Sequence, residues 1–381
     1  MVKAIIIPND QPEAYRRKGY SEKERESYFN PQGFFREVHW LGWGEYPERY
    51  YARTEIHSLP LPYQILRREG RKKPFDKKHF LELIYEDQKA TNLVRRIDPD
   101  IIIGFNGNWS AALSGYFGRK LGTASVSSVH DRFTSNESVQ DVDQLICVSE
   151  AVRDSCLELG ADPKKIQVIY EGIDLSLFCE KNDRDTTFIE RRYPGNPKIF
   201  TLGRFDPIKN IERTLITIAE LRQRFPNIVH LHGGVGAEKW ESHYTALKNR
   251  LGLEGVTHFI GTIPQEQLPF YYSWSDLFFL PSYSEGCPNA LLEALACGCA
   301  VITSNRKSMN EIIQQGQNGL LIDPDKQEEL TFAARTTLNN PKLKQSLKTT
   351  AARSIQKYGR KEKEDKYVEI FRTLILNTKR K

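Results

Sequence analysis

Two short runs in the C-terminal half carry charged residues at spacings that suit a phosphorylated ligand. In TLGRFDPIKN, Gly203 lets an apolar strand end in a turn, and Arg204 and Lys209 follow closely. A guanidinium and an ammonium together stabilise the charge that develops on a departing diphosphate, with no metal required. Judged alone, the same cations also read as a surface ion pair with Asp206 or Glu212. In PSYSEGCPNALLEALACG, Glu285 precedes a helix expected to begin at Pro288, and Glu293 lies inside it among alanines and leucines. A carboxylate buried there must be satisfied. A ribose diol would do so with two hydroxyl donors; so would a neighbouring arginine or a backbone amide. The helix start, with the amides of Gly286 and Asn289 nearby, offers the positive end of a dipole to a phosphate.

Three further features are weaker. His130 ends the run ASVSSVH and would leave an apolar strand near a ligand, although a histidine at a strand end is often structural. Gly233, Gly234 and Gly236 in LHGGVG permit close backbone approach to a ligand, or simply a tight turn. Asp183 and Asp185 in DRD look superficially like a cation-binding pair, but nothing in the order of elements brings them to the diphosphate. No metal or cofactor is expected.

The elements that must position these groups alternate along nearly the whole chain. KAIIIP, REVHWLGW, DIIIGF, ASVSSVH and QLICVS read as strands; residues 77–96, 109–121 and 150–159 read as helices, the last stopping at Gly160. Residues 178–198 have no clean period and read as an inter-domain connection. A second series then runs through KIFTLGR, a helix over 211–225, IVHLHGG, a helix over 240–251, THFIG, LFFLPS, NALLEALACG and AVITS. A charged helix over 365–376, with one apolar stripe, closes the chain. The expectation is two α/β domains with parallel sheets, over 1–180 and 196–360, facing a cleft, with 361–381 packing back on the first. In such sheets ligands bind beyond the carboxyl ends of the strands, where the candidate residues other than Asp183 and Asp185 fall.

At 381 residues and 27% charged, the chain reads as a globular protein, with no apolar run of spanning length and no signal-peptide core in MVKAIIIPND. Six cysteines without CxxC pairing suggest reduced thiols and a cytoplasmic setting. The net charge is +6, with Arg67, Arg68, Arg71, Lys72, Lys73, Lys77 and Lys78 clustered. That cluster reads as a solvated loop or as a peripheral contact with an anionic membrane surface. No nucleic-acid motif accompanies it.

The run EGCPNALLE has an E-x7-E spacing and, with GRFDPIKN upstream, resembles the signature of the family 4 glycosyltransferases. VSEAVRDSCLELG, VIYEGIDLSLF, FIGTIPQEQLPFYYSWSDLFFLPS and NEIIQQGQNGLLIDP are similar too, so the likeness spans 143–325. The resemblance implies a GT-B fold of two Rossmann-like domains and a retaining, metal-independent transfer of a hexose-type sugar from a UDP- or GDP-sugar. A glycan or lipid-linked acceptor in surface polysaccharide or glycolipid assembly would be its setting. It assigns Arg204 and Lys209 to the diphosphate and Glu293 to the ribose. Glu285 and His130 then contact the transferred sugar, with Gly234, Gly286, Asn289 and Ile263 lining the donor site. Two departures stand out. The usual Gly-Gly loop after the first strand is replaced by an insertion over 9–33 in which Gly33 is the one glycine at a plausible loop end, a segment expected to shape acceptor choice. SNRKSMNEII lacks the Gly-rich turn common before the position of Glu311. A nucleotide-sugar epimerase of the same fold, or a catalytically silent relative, are the alternative readings.

Overall fold

A computed structural model describes residues 2–8, 22–43, 50–51, 54–59, 88–106, 108–132, 139–181 and 183–379. The chain divides into two units, one formed by 1–170 with 363–381 and the other by 171–362.

The first unit carries β1 (Lys3–Ile7), β2 (Glu37–Trp43), β3 (Tyr50–Tyr51), β4 (Thr54–Leu59), β5 (Ile101–Phe105), β6 (Ala124–Val129), β7 (Gln144–Cys147) and β8 (Ile166–Val168). They form one sheet in the order β3-β4-β2-β1-β5-β6-β7-β8, parallel except for the short β3–β4 pair at the edge. Ile101, Ile102 and Ile103 are fully buried, as strands covered on both faces must be. Each such side chain contributes about 1.5–3 kcal/mol of burial. The helix Gln88–Ile97 buries Ala90, Thr91, Val94 and Ile97, one stripe at helical spacing. Ser149 caps the helix Glu150–Glu158 by accepting from the Val152 amide, and Gly160 at φ 85° follows its end. The last helix, Arg360–Thr378, is longer than its apolar stripe suggested, and its Tyr367, Ile370, Phe371 and Ile375 complete the core around Phe35, Trp40 and Phe105.

The second unit carries β9 (Lys198–Leu202), β10 (Val229–Gly233), β11 (Thr257–Gly261), β12 (Leu277–Leu280), β13 (Val301–Ser304) and β14 (Leu320–Ile322). All pairs are parallel, in the order β11-β10-β9-β12-β13-β14. The chain runs outward from β9 through β10 to β11 and returns to β12 on the other side of β9. The strand order therefore reverses between β9 and β12, and the loops leaving these two strands lie side by side.

Residues 178–198 belong wholly to the second unit. Phe178 is fully buried, and the helix Thr187–Arg192 buries Ile189, so the irregular stretch packs on its unit even though it lacks a long period. The strands Thr54–Leu59, Ile166–Val168 and Leu320–Ile322 add to those legible in the sequence. The basic cluster of 67–78, residues 9–21 of the insertion, and 77–87 of the expected helix lie outside the described residues. Among the described residues no helix is long and apolar enough to cross a membrane.

Candidate active site

The loop after β9 is built to present Lys209. Asp206 accepts from the Ile208 amide and starts a single 3-10 turn over Pro207–Lys209. Asn210 then takes a left-handed conformation at φ 54°, and its buried amide donates to the carbonyls of Pro281 and Pro324 at 3.1 and 3.2 Å. These bonds tie the loops after β9, β12 and β14 together. A Cβ on Gly203 would sit 3.4 Å from Cγ and Cδ of Lys209, so the lysine stem runs along the strand end in space a larger residue would crowd. Its Nζ reaches Oε1 of Glu285, on the loop after β12, at 2.6 Å. Both side chains are mostly shielded, 19% and 12% exposed. The pair joins the two loops at the point where the strand order reverses.

Arg204 is differently placed. Its side chain is 68% exposed and pairs with Asp206 at 3.3 Å, the local ion pair that its sequence also allowed. An exposed pair of this kind contributes little and is readily exchanged for an anion.

Glu293 is the fifth residue of the helix Asn289–Ala296 and is buried. Its carboxylate accepts from the phenol of Tyr272 at 2.8 Å. Burial first, and then the Glu293 charge, push the Tyr272 hydroxyl well above its ordinary range, so it stays a proton donor. The sequence had suggested an arginine or an amide as an internal partner; a tyrosine of the helix Leu268–Trp274 is a partner it did not suggest. Pro288 is the residue before this helix instead of its first, and Asn289 opens it. Gly286 lies between Glu285 and this helix start, and the Asn289 side-chain oxygen is buried with no hydrogen-bond partner among the described residues.

Backbone packing explains the glycines. Gly234 has φ 126°, and a Cβ there would lie 2.1 Å from the Gly203 carbonyl oxygen. A Cβ on Gly233 would meet Ile263 at 2.7 Å, and one on Gly236 the Phe205 carbonyl at 2.5 Å. Ile263 itself is buried against this turn. The loops after β9, β10 and β11 are thus in close contact, which requires residues without side chains.

The segment before Glu311 lacks glycine, yet the left-handed turn is made. Ser308 adopts φ 77°, its amide donates to Glu311 at 3.0 Å and its hydroxyl to the Glu285 carbonyl at 3.0 Å. The hydroxyl thereby braces the backbone of Glu285. Asp185 of the DRD run accepts from the amide and hydroxyl of Thr187, the first residue of the helix Thr187–Arg192.

In the first unit, His130 directly follows β6. Its Nε2 lies 2.7 Å from Ser128 Oγ, which is 2.8 Å from the Tyr367 hydroxyl. The helix Glu22–Phe29, within the 9–33 insertion, brings the Tyr28 hydroxyl to 3.2 Å from the same ring. Gly33 is left-handed at φ 61° and ends the 3-10 turn Pro31–Gly33 behind it. Neither Tyr28, as a partner of His130, nor Tyr367, as a partner of Ser128, was evident in the sequence, because 102 and 239 residues separate the contacts.

The second unit thus gathers a cation and two acids at the reversal of its strand order, the place where open parallel sheets bind ligands. The sequence model of "Glycosyl transferases group 1" matches residues 182–354, and that of "Glycosyltransferase Family 4" matches 37–177. The chain belongs to this glycosyltransferase family. A D-inositol 3-phosphate glycosyltransferase of Rhodococcus opacus is 27% identical over 68% of this chain and 57% of its own length. One from Corynebacterium efficiens is 28% identical over 50% of this chain and 47% of its own. The chain therefore spans roughly half the length of these curated relatives. Among solved structures, Anabaena HepE in complex with UDP aligns with a TM-score of 0.75 at 15% identity, covering 98% of this chain and 100% of that one. Sucrose-phosphate synthase of Thermosynechococcus elongatus gives 0.75 at 18% identity over 99% and 100%. The fold is GT-B.

Proposed function

We propose that this chain transfers a hexose-type sugar from a nucleotide diphosphate donor to a glycan or lipid-linked acceptor, with retention and without a metal, in surface polysaccharide or glycolipid assembly. The observation that carries the reading is the shielded Lys209–Glu285 pair, with its lysine at the end of β9 and its acid at the start of the loop–helix unit that also buries Glu293. The complexes of HepE with UDP and with UDP-glucose support a uridine donor.

On this reading Lys209 exchanges Glu285 for a diphosphate oxygen, and Arg204 leaves Asp206 to do the same. The helix start at Gly286 and Asn289 adds its dipole, Gly234 lets the backbone approach, and Ile263 packs beside the nucleoside. Glu293 accepts from the ribose hydroxyls while keeping Tyr272. The sugar–phosphate bond breaks with its electrons passing to the diphosphate, whose charge the two cations stabilise. The acceptor hydroxyl attacks from the same face, and its proton passes to the departing phosphate oxygen. Glu285, released by Lys209, faces the positive charge developing on the sugar. The assignment of His130 to the sugar rests on the resemblance.

The test is a panel of UDP- and GDP-hexoses screened by thermal shift, followed by incubation of the best binder with candidate acceptors and anomeric analysis by NMR. The expected product keeps the donor's anomeric configuration and forms in metal-chelated buffer. An inverted product overturns the retaining mechanism, and donor isomerised without acceptor establishes an epimerase instead.

A further inference from the structure

We propose that His39, Glu55 and His57 form a binding site for a divalent transition-metal ion of the zinc class, clamping β2 to β4 in the first unit. The two strands pair in parallel with His39 opposite Glu55 and Leu41 opposite His57. Side chains alternate across a strand, so Glu37, His39, Glu55 and His57 share one face of the sheet. This is the one group of three or more potential ligands brought together among the described residues, with one ligand atom from each within 4.8 Å of the others.

The orientation of His39 makes this more than a coincidence of residue types. Its Nε2 lies 2.6 Å from Oε1 of Glu37, and Lys3 holds the same oxygen at 3.1 Å. A carboxylate accepts, so in the neutral ring the imidazole proton resides on Nε2 and the Nδ1 lone pair faces the other way. That lone pair is aimed at His57 Nε2, 2.8 Å away, with Glu55 Oε2 at 3.8 Å. A carboxylate on the outer nitrogen of a histidine whose inner nitrogen faces further ligands is the usual supporting arrangement of a metal-bound imidazole. Zinc bonds of roughly 2.0–2.1 Å in a tetrahedron put ligand atoms roughly 3.3 Å apart. The His39–His57 and His39–Glu55 separations of 2.8 and 3.8 Å lie on either side of that value, so binding an ion would require His57 and Glu55 to shift.

Two imidazoles with one carboxylate suit zinc, nickel or copper and not magnesium or calcium, which take oxygen. His39 is buried, whereas the Glu37 and Glu55 side chains are 44% and 39% exposed, which leaves solvent a way in. The two carboxylates offset the positive charges of Lys3 and Arg96 beside the histidines. Three protein ligands leave the fourth position to water. The alternative use of the same geometry is a direct hydrogen bond from His57 to His39, which needs no ion.

Titration of the full-length, chelator-treated and desalted protein with zinc chloride, followed by calorimetry, separates the two. The expected result is one tight zinc equivalent per chain, undisturbed by excess magnesium. His57→Ala and Glu55→Gln are each expected to weaken binding at least about 100-fold and about 10-fold respectively, and Glu37→Gln about 10-fold to 100-fold by releasing His39. Folding of each variant is checked by circular dichroism, and Glu55, being half-exposed, keeps the test open if His57→Ala does not fold. No zinc binding by the parent, or folded variants that bind zinc as the parent does, overturns the site and leaves the histidine pair as a hydrogen bond.

Discussion

At the scale of single residues, the charged groups of the candidate site are held in states that a ligand can use. Lys209 and Glu285 are shielded and paired, so each loses its partner only when something else replaces it. Leaving either alone in a shielded position is costly, which favours exchange with a diphosphate over simple opening. Glu293 is likewise buried, and Tyr272 donates to it. Tyr272→Phe removes a hydrogen bond to a buried carboxylate and is expected to lower stability by about 1.5–3 kcal/mol, measured by urea denaturation. The residues with chemistry were legible because their charges interrupt apolar runs: Glu293 stands out against the alanines and leucines around it. Tyr272, Asn210 and Ser308 were not. A tyrosine in an aromatic helix, an asparagine after a turn and a serine in a left-handed position acquire meaning only from partners 21, 71 and 23 residues away.

At the scale of elements, the placement of the site follows from strand order. Alternating strands and helices announce a parallel sheet, but which strands are neighbours depends on pairing that no local pattern encodes. The meeting of the loops after β9 and β12 is therefore a finding of the structure, whereas the strands themselves were readable from KIFTL and LFFL. Short strands such as Ile166–Val168 and Leu320–Ile322 have only three residues each and too little alternation to be seen. Strand β10 carries a second consequence. His230 and His232 are both buried and both bonded to Thr201, His232 at 2.8 Å. Burial lowers the imidazole of His232 to about 4, partly countered by a backbone bond at Gly203, and burial likewise holds His230 well below its usual value. Both rings are neutral when folded, so their contribution to stability is present above about pH 6.5 and is lost as pH falls through the folded value. Between pH 6.5 and about 4, the unfolded chain binds protons that the folded chain does not. His232 alone then costs on the order of 3 kcal/mol by pH 4. The expected outcome is a melting temperature that drops across this window, and a shallower drop for His232→Asn.

At the scale of the whole molecule, the first unit is closed by chain from both ends. Residues 363–381 supply Tyr367, Ile370, Phe371 and Ile375 to a core otherwise built before residue 171. Four large buried side chains at about 1.5–3 kcal/mol each are comparable with the net stability of a domain. Deleting 363–381 is therefore expected to leave the first unit unfolded or aggregated, which size-exclusion chromatography and circular dichroism would reveal. The apolar stripe of the last helix was visible in its sequence, and 361–381 was expected to pack back on the first domain, but the side chains it meets were not legible, because an amphipathic helix states that it packs and not against which residues. The second unit, by contrast, is continuous, and its runs over 198–304 were the most readable part of the chain.

On the proposed function Lys209 and Glu293, beyond the carboxyl ends of β9 and β12, hold a nucleoside diphosphate. Calorimetric titration of the full-length protein with UDP and GDP, beside Lys209→Ala and Glu293→Gln, measures it directly. One of the two nucleotides is expected to bind the parent, with Lys209→Ala weakening it at least about tenfold by removing a cation from the diphosphate and Glu293→Gln weakening it by losing the ribose acceptor. Folded variants of both that bind the preferred nucleotide with the parent's affinity would contradict it.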